Sequence, residues 1–238
     1  MTERSLSDVE YNYKLINERI AEAAEKSGRK REDITFLAAT KTVDADVINY
    51  AISLGLDHIS ENKVQELLSK YEKYDLAHAS LQFIGHLQTN KVRQIVDKVD
   101  LIQSVDSLKL ASEISKQSLK IGKKTDVLVE VNIGREENKS GVVPEQLDEL
   151  LCQIADLEGI SVKGLMSIPP ICDNTHKISK YFDNMRNIFI DISSKKLDNI
   201  SMTILSMGMS ADYYEAILEG ATMVRVGSSL FGARDYSK

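Results

Sequence analysis

Asp126-Val127-Leu128-Val129-Glu130-Val131-Asn132 is the stretch whose reading decides the fold. Its apolar residues are mostly β-branched and do not alternate strictly with polar ones, the pattern of a parallel strand covered on both faces. Towards the C-terminus comes a loop rich in glycine and charge, residues 134–141. Pro144 then suits a helix start, and Leu147, Leu150, Leu151 and Ile154 stripe that helix. The next strand is 160–166. Towards the N-terminus, Asp106 or Ser107 caps a helix carrying Leu108, Ala111 and Ile114, and before it lies a strand at 101–104. Strand, helix and strand on either side of 126–132 imply right-handed βαβ units.

The alternation continues in both directions. Strands are expected at 34–39, 57–60, 81–85, 101–104, 126–132, 160–166, 201–205 and 223–226, with helical patterns between them. An amphipathic helix over 4–26 precedes them all, with Val9, Tyr13, Ile16, Ile20 and Ala24 on one face. Eight such units in one domain over 1–238 predict an α/β protein, a single (β/α)8 TIM barrel with an extra N-terminal helix. A doubly wound open sheet is the competing arrangement, and periodicity alone leaves it open.

Composition narrows the function. The chain has 238 residues, 42% hydrophobic and 28% charged, long enough to bury a full core. Its net charge of −6 argues against nucleic-acid binding. Cys152 and Cys172 lie far apart and make no metal or redox spacing, so reduced cytoplasmic thiols and no metal are expected. Residues 1–10 are polar and acidic, unlike a targeting segment. No apolar run approaches the ~18–20 residues of a membrane span.

Barrels of this type work from the loops after the C-terminal ends of their strands. Lys41 comes where strand 34–39 runs out, with an apolar wall behind it. An amine so placed loses part of its hydration and can act as a nucleophile. The plainer reading is a snorkelling lysine. Ser206-Met207-Gly208-Met209-Ser210 precedes a helix, and Gly227-Ser228-Ser229 ends the last strand. The loops after strands seven and eight often bind phosphate, with glycine amides and serine hydroxyls forming the cradle. Ordinary caps and turns are the alternative. Arg225, two residues before Gly227, shares its face of the strand. Its alternative role is a salt bridge inside the barrel.

A mouth lysine, a phosphate cradle and an arginine fit one ligand, pyridoxal 5′-phosphate (PLP). Its aldehyde forms a Schiff base with a lysine, its phosphate takes the cradle and its ring nitrogen needs a partner. A cationic Arg225 there would disfavour protonation of the pyridine nitrogen and weaken the ring as an electron sink.

Ordered motifs over nearly the whole chain support this. They are Thr40-Lys41-Thr42, Glu61-Asn62-Lys63-Val64-Gln65-Glu66, Phe83 through Lys91, Ser104-Val105-Asp106-Ser107, Val131-Asn132-Ile133-Gly134, Lys139-Ser140-Gly141, Gly164 through Pro170, Leu205 through Ser210, Val224-Arg225-Val226-Gly227 and Phe231-Gly232. With these motifs the chain resembles the YggS/PROSC family of PLP homeostasis proteins, whose fold is like the N-terminal domain of alanine racemase. The resemblance implies PLP on Lys41, Asn62 beside the cofactor, Ser206, Gly227 and Ser228 at the phosphate, and Arg225 at the ring nitrogen. The chain departs from the family pattern at Thr40, where serine is expected, at Ser60, where glycine is common, and at Leu81-Gln82, in place of Trp-His.

Two functions compete. A small PLP-dependent amino-acid racemase needs an acid/base group on each face of the cofactor. Lys41 serves one face. Alanine racemases take the opposite tyrosine from a second domain, which this chain, ending shortly after strand eight, is expected to lack. Tyr213 and Tyr214 read as helix surface or packing, and His86 is the best other acid/base candidate. The carrier reading is a monomeric cytoplasmic protein that holds PLP and delivers it to apo PLP-enzymes, without established catalysis. Lys63, Lys91 and Lys139 are further amines that could serve in transfer.

Overall fold

The computed structural model describes residues 5–172 and 174–232. The helix expected from residue 4 begins outside that range and is described from Leu6. Ser5 caps it, its hydroxyl accepting from the Asp8 amide, and α1 (Leu6–Lys26) buries Val9, Ile16, Ile20, Ala23 and Ala24. Asn12 Nδ2 also donates to the Leu230 carbonyl at 3.1 Å, which ties this helix to the end of the chain's last strand unit.

After α1 the chain alternates. The units are β1 (Thr35–Ala39), α2 (Ala45–Ser53), β2 (His58–Glu61), α3 (Val64–Lys70), β3 (Ser80–Phe83), α4 (Val92–Ile95), β4 (Leu101–Val105) and α5 (Leu108–Lys120). They continue with β5 (Thr125–Val131), α6 (Pro144–Ala155), β6 (Ile160–Ser167), α7 (Thr175–Ser194), β7 (Ile200–Met209), α8 (Tyr213–Leu218), β8 (Met223–Val226) and α9 (Ser228–Phe231). Every neighbouring pair of strands is parallel, and β8 closes on β1 with Leu37 opposite Arg225 and Ala38 opposite Val226. Closure excludes the open sheet.

Alternation of side chains across the strands divides the interior. Phe36 and Ala38 face the helices and join the large core between barrel and helical shell. Leu37, Leu101, Leu128, Met166 and Met223 face inward and form a smaller apolar cluster in the lumen, with Ala39 packed against it.

Local detail adds to the sequence reading and at β7 corrects it. Asp44 stands at the N-cap of α2, but its side chain makes no capping bond. Of the two residues proposed to cap α5, Ser107 does so, accepting from the Leu110 amide at 3.4 Å. Strand β7 does not stop at Leu205. It runs to Met209, with a shift of register against β8 between Ser206 and Met209 and a φ of 89° at Gly208. The bulge lets a glycine-containing stretch stay in the sheet. Finally, α9 follows β8 as a single short turn of helix.

Candidate functional site

Lys41 lies two residues beyond β1, at the C-terminal mouth of the barrel. A pocket there is lined by Ala39, Lys41, Thr42, Val43, Gly227, Ser228 and Phe231. It exists because β8 leaves the barrel against β1. A Cβ on Gly227 would stand 3.0 Å from the Ala39 carbonyl oxygen and 3.3 Å from Ala39 Cβ. Glycine therefore lets the two strand ends close on each other beside the lysine.

Below the pocket Arg225 is buried, 4% exposed, at the register position of Leu37. Its Nη1 donates to Ser206 Oγ at 2.7 Å and its Nη2 to the Ser167 carbonyl at 2.8 Å. Burial lowers the guanidinium to about 10, against the opposing pull of Glu130 and Asp212, so it remains a cation at neutral pH. Ser206 passes the chain on, donating to Gln103 Oε1 at 2.7 Å. Gln103 Nε2 donates to Gln82 Oε1 at 2.6 Å, and Gln82 Nε2 lies 3.3 Å from His58 Nδ1. A polar wire thus crosses the lumen from the mouth to His58 at the start of β2. Sequence reasoning missed Gln82 and Gln103. Their signal was a lone amide in an otherwise apolar strand, at an inward position.

Ser206 was expected at a phosphate. Its hydroxyl is fully buried and engaged with Arg225 and Gln103, behind the loop rather than in it. The stretch expected to be a loop is strand until Met209, and Ser210 is the first of its residues beyond the strand. Ser210 Oγ accepts from the amides of Gly227 at 3.1 Å and Ser229 at 3.2 Å, so the loops after β7 and β8 are joined there. Gly208 faces α8: a Cβ would meet Ala216 Cβ at 2.5 Å, and its positive φ also favours glycine. Asp212 accepts from the Met209 amide at 2.6 Å and fixes the turn. Burial is the largest influence on its carboxyl and raises it.

The structure brings together Lys41, Gly227 and Ser228 in one pocket, Arg225 with Ser206, and Ser210 with Gly227. Asn62 lies on the neighbouring loop after β2, half-buried, and its Oδ1 has no partner among the described residues. Gly85 packs on it, since a Cβ there would overlap the Asn62 carbonyl. His86 is exposed, with Nδ1 3.4 Å from Ser140 Oγ and 3.9 Å from Asp106 Oδ2. Lys63 and Lys139 are exposed and Lys91 half-buried. Tyr213 and Tyr214 turn to α1: Arg19 lies over both rings, and Tyr214 donates to Glu22 at 2.9 Å.

Two further features escaped sequence reasoning. Glu130 on β5 is buried, and burial followed by the Asp106 charge raises its carboxyl to about 7, while Arg225 opposes the rise. On the outer side of β1 and β2, Glu61 is fully buried and accepts from Lys70 at 2.9 Å and Tyr74 at 2.7 Å. Burial and then the Glu61 charge push the Tyr74 phenol up, so it stays a donor.

Fold and geometry together give a closed (β/α)8 barrel with a lysine just past one strand end and a buried arginine on the neighbouring strand. Residues 6–235 match the family described as alanine racemase, N-terminal domain. The pyridoxal phosphate homeostasis protein of Aquifex aeolicus is 44% identical over 219 residues, 92% of this chain and 95% of that protein. The protein of the same name from Escherichia coli is 35% identical over 236 residues, 98% of this chain and all of the other. The structure of PipY from Synechococcus elongatus with PLP bound superposes with a TM-score of 0.78 at 31% identity, covering 90% of this chain and 100% of that one. The chain belongs to the alanine racemase N-terminal-domain family, and within it to the pyridoxal phosphate homeostasis proteins.

Proposed function

We propose that this protein binds PLP as a Schiff base on Lys41 and acts in intracellular PLP homeostasis, holding the cofactor and delivering it to apo PLP-enzymes. The observation that carries the reading is the shared pocket of Lys41, Gly227 and Ser228, with Arg225 buried on the same strand two residues before Gly227. The relatives named for PLP homeostasis and the PLP-bound PipY structure support the same ligand.

PLP supplies a reactive aldehyde on an electron-accepting ring. The residues present suit it. Lys41 offers the amine. Gly208 and Ser210 shape the loop that joins Gly227 and Ser228, and these four form the phosphate cradle. Arg225 faces the ring nitrogen as a donor, because guanidinium has no acceptor to offer. Ser206 holds Arg225 from behind. Asn62, on the loop after β2, is assigned beside the cofactor, and its buried amide oxygen has no partner among the described residues.

A donor cation at the ring nitrogen keeps that nitrogen unprotonated and limits carbanion chemistry. Tyr213 and Tyr214 face α1, so neither is an acid/base partner for Lys41, and the carrier reading is preferred over the racemase. It is proposed to act as a cytoplasmic monomer. The test loads the protein with PLP, removes free cofactor and mixes it with an apo PLP-enzyme. Recovery of the recipient's activity, with no racemisation of amino acids by the loaded protein alone, is expected. Racemisation at a catalytic rate without transfer would reverse the choice.

A further inference from the structure

The turn that carries Lys41 is strained and braced. Thr42, next in the chain, has a φ of 62°, an outlier for a β-branched residue. Such a conformation persists only where its surroundings over-determine it. Here they do. Glu66 Oε1 accepts from the Thr42 amide. Lys70 Nζ binds Glu66 Oε1 at 2.6 Å and Glu61 Oε1 at 2.9 Å, and donates to the Thr40 carbonyl at 3.2 Å. Thr40 Oγ1 lies 2.9 Å from Glu61 Oε1. The residues on both sides of Lys41 are thus fastened to one ionic cluster on α3 and β2.

The cluster is well shielded from water. Side-chain exposure is 14% for Lys70, 18% for Glu66 and zero for Glu61. Exposed pairs contribute little, whereas a buried, multiply bonded cluster fixes geometry because breaking one member leaves charges uncompensated. Glu66 and Lys70 sit at i and i+4 on α3, so the helix itself sets their spacing.

We infer that Glu66 and Lys70 are positioning residues for Lys41, holding the Thr40–Thr42 backbone in its strained turn so that the amine is presented to the pocket at Gly227 and Ser228. The inference rests on the reading of Lys41 as the reactive lysine and names what aims it. Neither residue lines the pocket, and both act through the backbone.

The variants are Glu66→Gln, which keeps an acceptor for the Thr42 amide, and Glu66→Ala, which removes it. Both avoid the fully buried Glu61. The cofactor-free protein is treated briefly with acetic anhydride at fixed pH, and acetylation of Lys41 is measured by peptide mass spectrometry relative to Lys116 and Lys139. In Glu66→Ala the relative rate at Lys41 is expected to move roughly threefold to tenfold towards that of the two reference lysines, the scale on which misplacing a reactive group is felt. In Glu66→Gln, which keeps the acceptor for the Thr42 amide but gives up the charge paired with Lys70, it moves less than in Glu66→Ala. An unchanged rate in Glu66→Ala overturns the inference. So does an equal change in both variants accompanied by a common fall in melting temperature, which marks general loosening. Borohydride reduction of PLP-treated wild type is run in parallel. An adduct on another lysine would defeat the Schiff-base assignment, while the acetylation rates would still decide whether Glu66 braces the turn.

Discussion

Arg225 Nη1 donates to Ser206 Oγ across 2.7 Å in the closed lumen of the barrel, and this one bond orders the polar residues beyond it. A guanidinium can only donate, so Ser206 accepts and must send its own proton onward to Gln103 Oε1. Gln103 then presents its NH2 to Gln82 Oε1, and Gln82 presents its own to His58 Nδ1. The cation at the mouth sets the direction of every bond in the wire.

The wire predicts a tautomer. A neutral His58 ring should carry its proton on Nε2 and keep Nδ1 as an acceptor for Gln82. Nitrogen chemical shifts of the histidine ring read this directly. Gln103→Leu, which cuts the wire, should let both tautomers appear. A proton on Nδ1 in the wild type would contradict the assigned direction.

Ser206→Ala removes the acceptor for a buried charged donor and leaves Gln103 Oε1 unpaired. Hydrogen bonds to charged groups contribute more than neutral ones, so a loss of about 1.5–3 kcal/mol in unfolding free energy is expected. Denaturant unfolding measures it. A loss of PLP affinity with no loss of stability would instead place the hydroxyl at the phosphate.

Glu130 makes stability pH-dependent in the direction opposite to a salt-bridged acid. Its folded carboxyl is raised to about 7 from the ordinary 4.5. Below the unfolded value both states hold the proton. Between there and pH ~7 only the folded chain holds it, so stability falls as pH rises, and it levels off above. Glu130→Gln should therefore gain stability relative to wild type as pH rises across that window, by about 3 kcal/mol at most. A difference that stays flat from about pH 4 to 8 would refute the raised carboxyl.

Gly227→Ala tests the seam between β8 and β1. The added methyl meets the Ala39 carbonyl at 3.0 Å, and overpacking of this kind costs about 1–3 kcal/mol. Because the contact lies in the wall of the Lys41 pocket, PLP affinity should fall roughly tenfold, which corresponds to ~1.4 kcal/mol. Equilibrium titration of the variant with PLP checks this.

Period and position decided what could be read in advance. The eight strands and the barrel were readable because parallel strands are continuous apolar runs, and every expected strand has its counterpart. The places of Lys41 just past β1 and of Arg225 near the end of β8 were readable because each follows from where an apolar run stops. The extent of β7 was not, since Ser206, Gly208 and Ser210 carry turn chemistry and only the bulge keeps the first two in the sheet. The wire and the brace were not legible either. Gln82 and Gln103 are 21 residues apart and meet only when β3 and β4 pair, and Lys70 reaches Thr40 across 30 residues. Nothing in local sequence announces such contacts.

The decisive measurement for PLP on Lys41 is the visible absorption spectrum of the purified protein with PLP, wild type beside Lys41→Ala, followed by borohydride reduction and peptide mapping. A Schiff-base band is expected in the wild type and not in Lys41→Ala, with the reduced adduct on Lys41. No band, or an adduct on Lys63, Lys91 or Lys139, would contradict the assignment and leave Lys41 as a lysine that merely edges the barrel mouth.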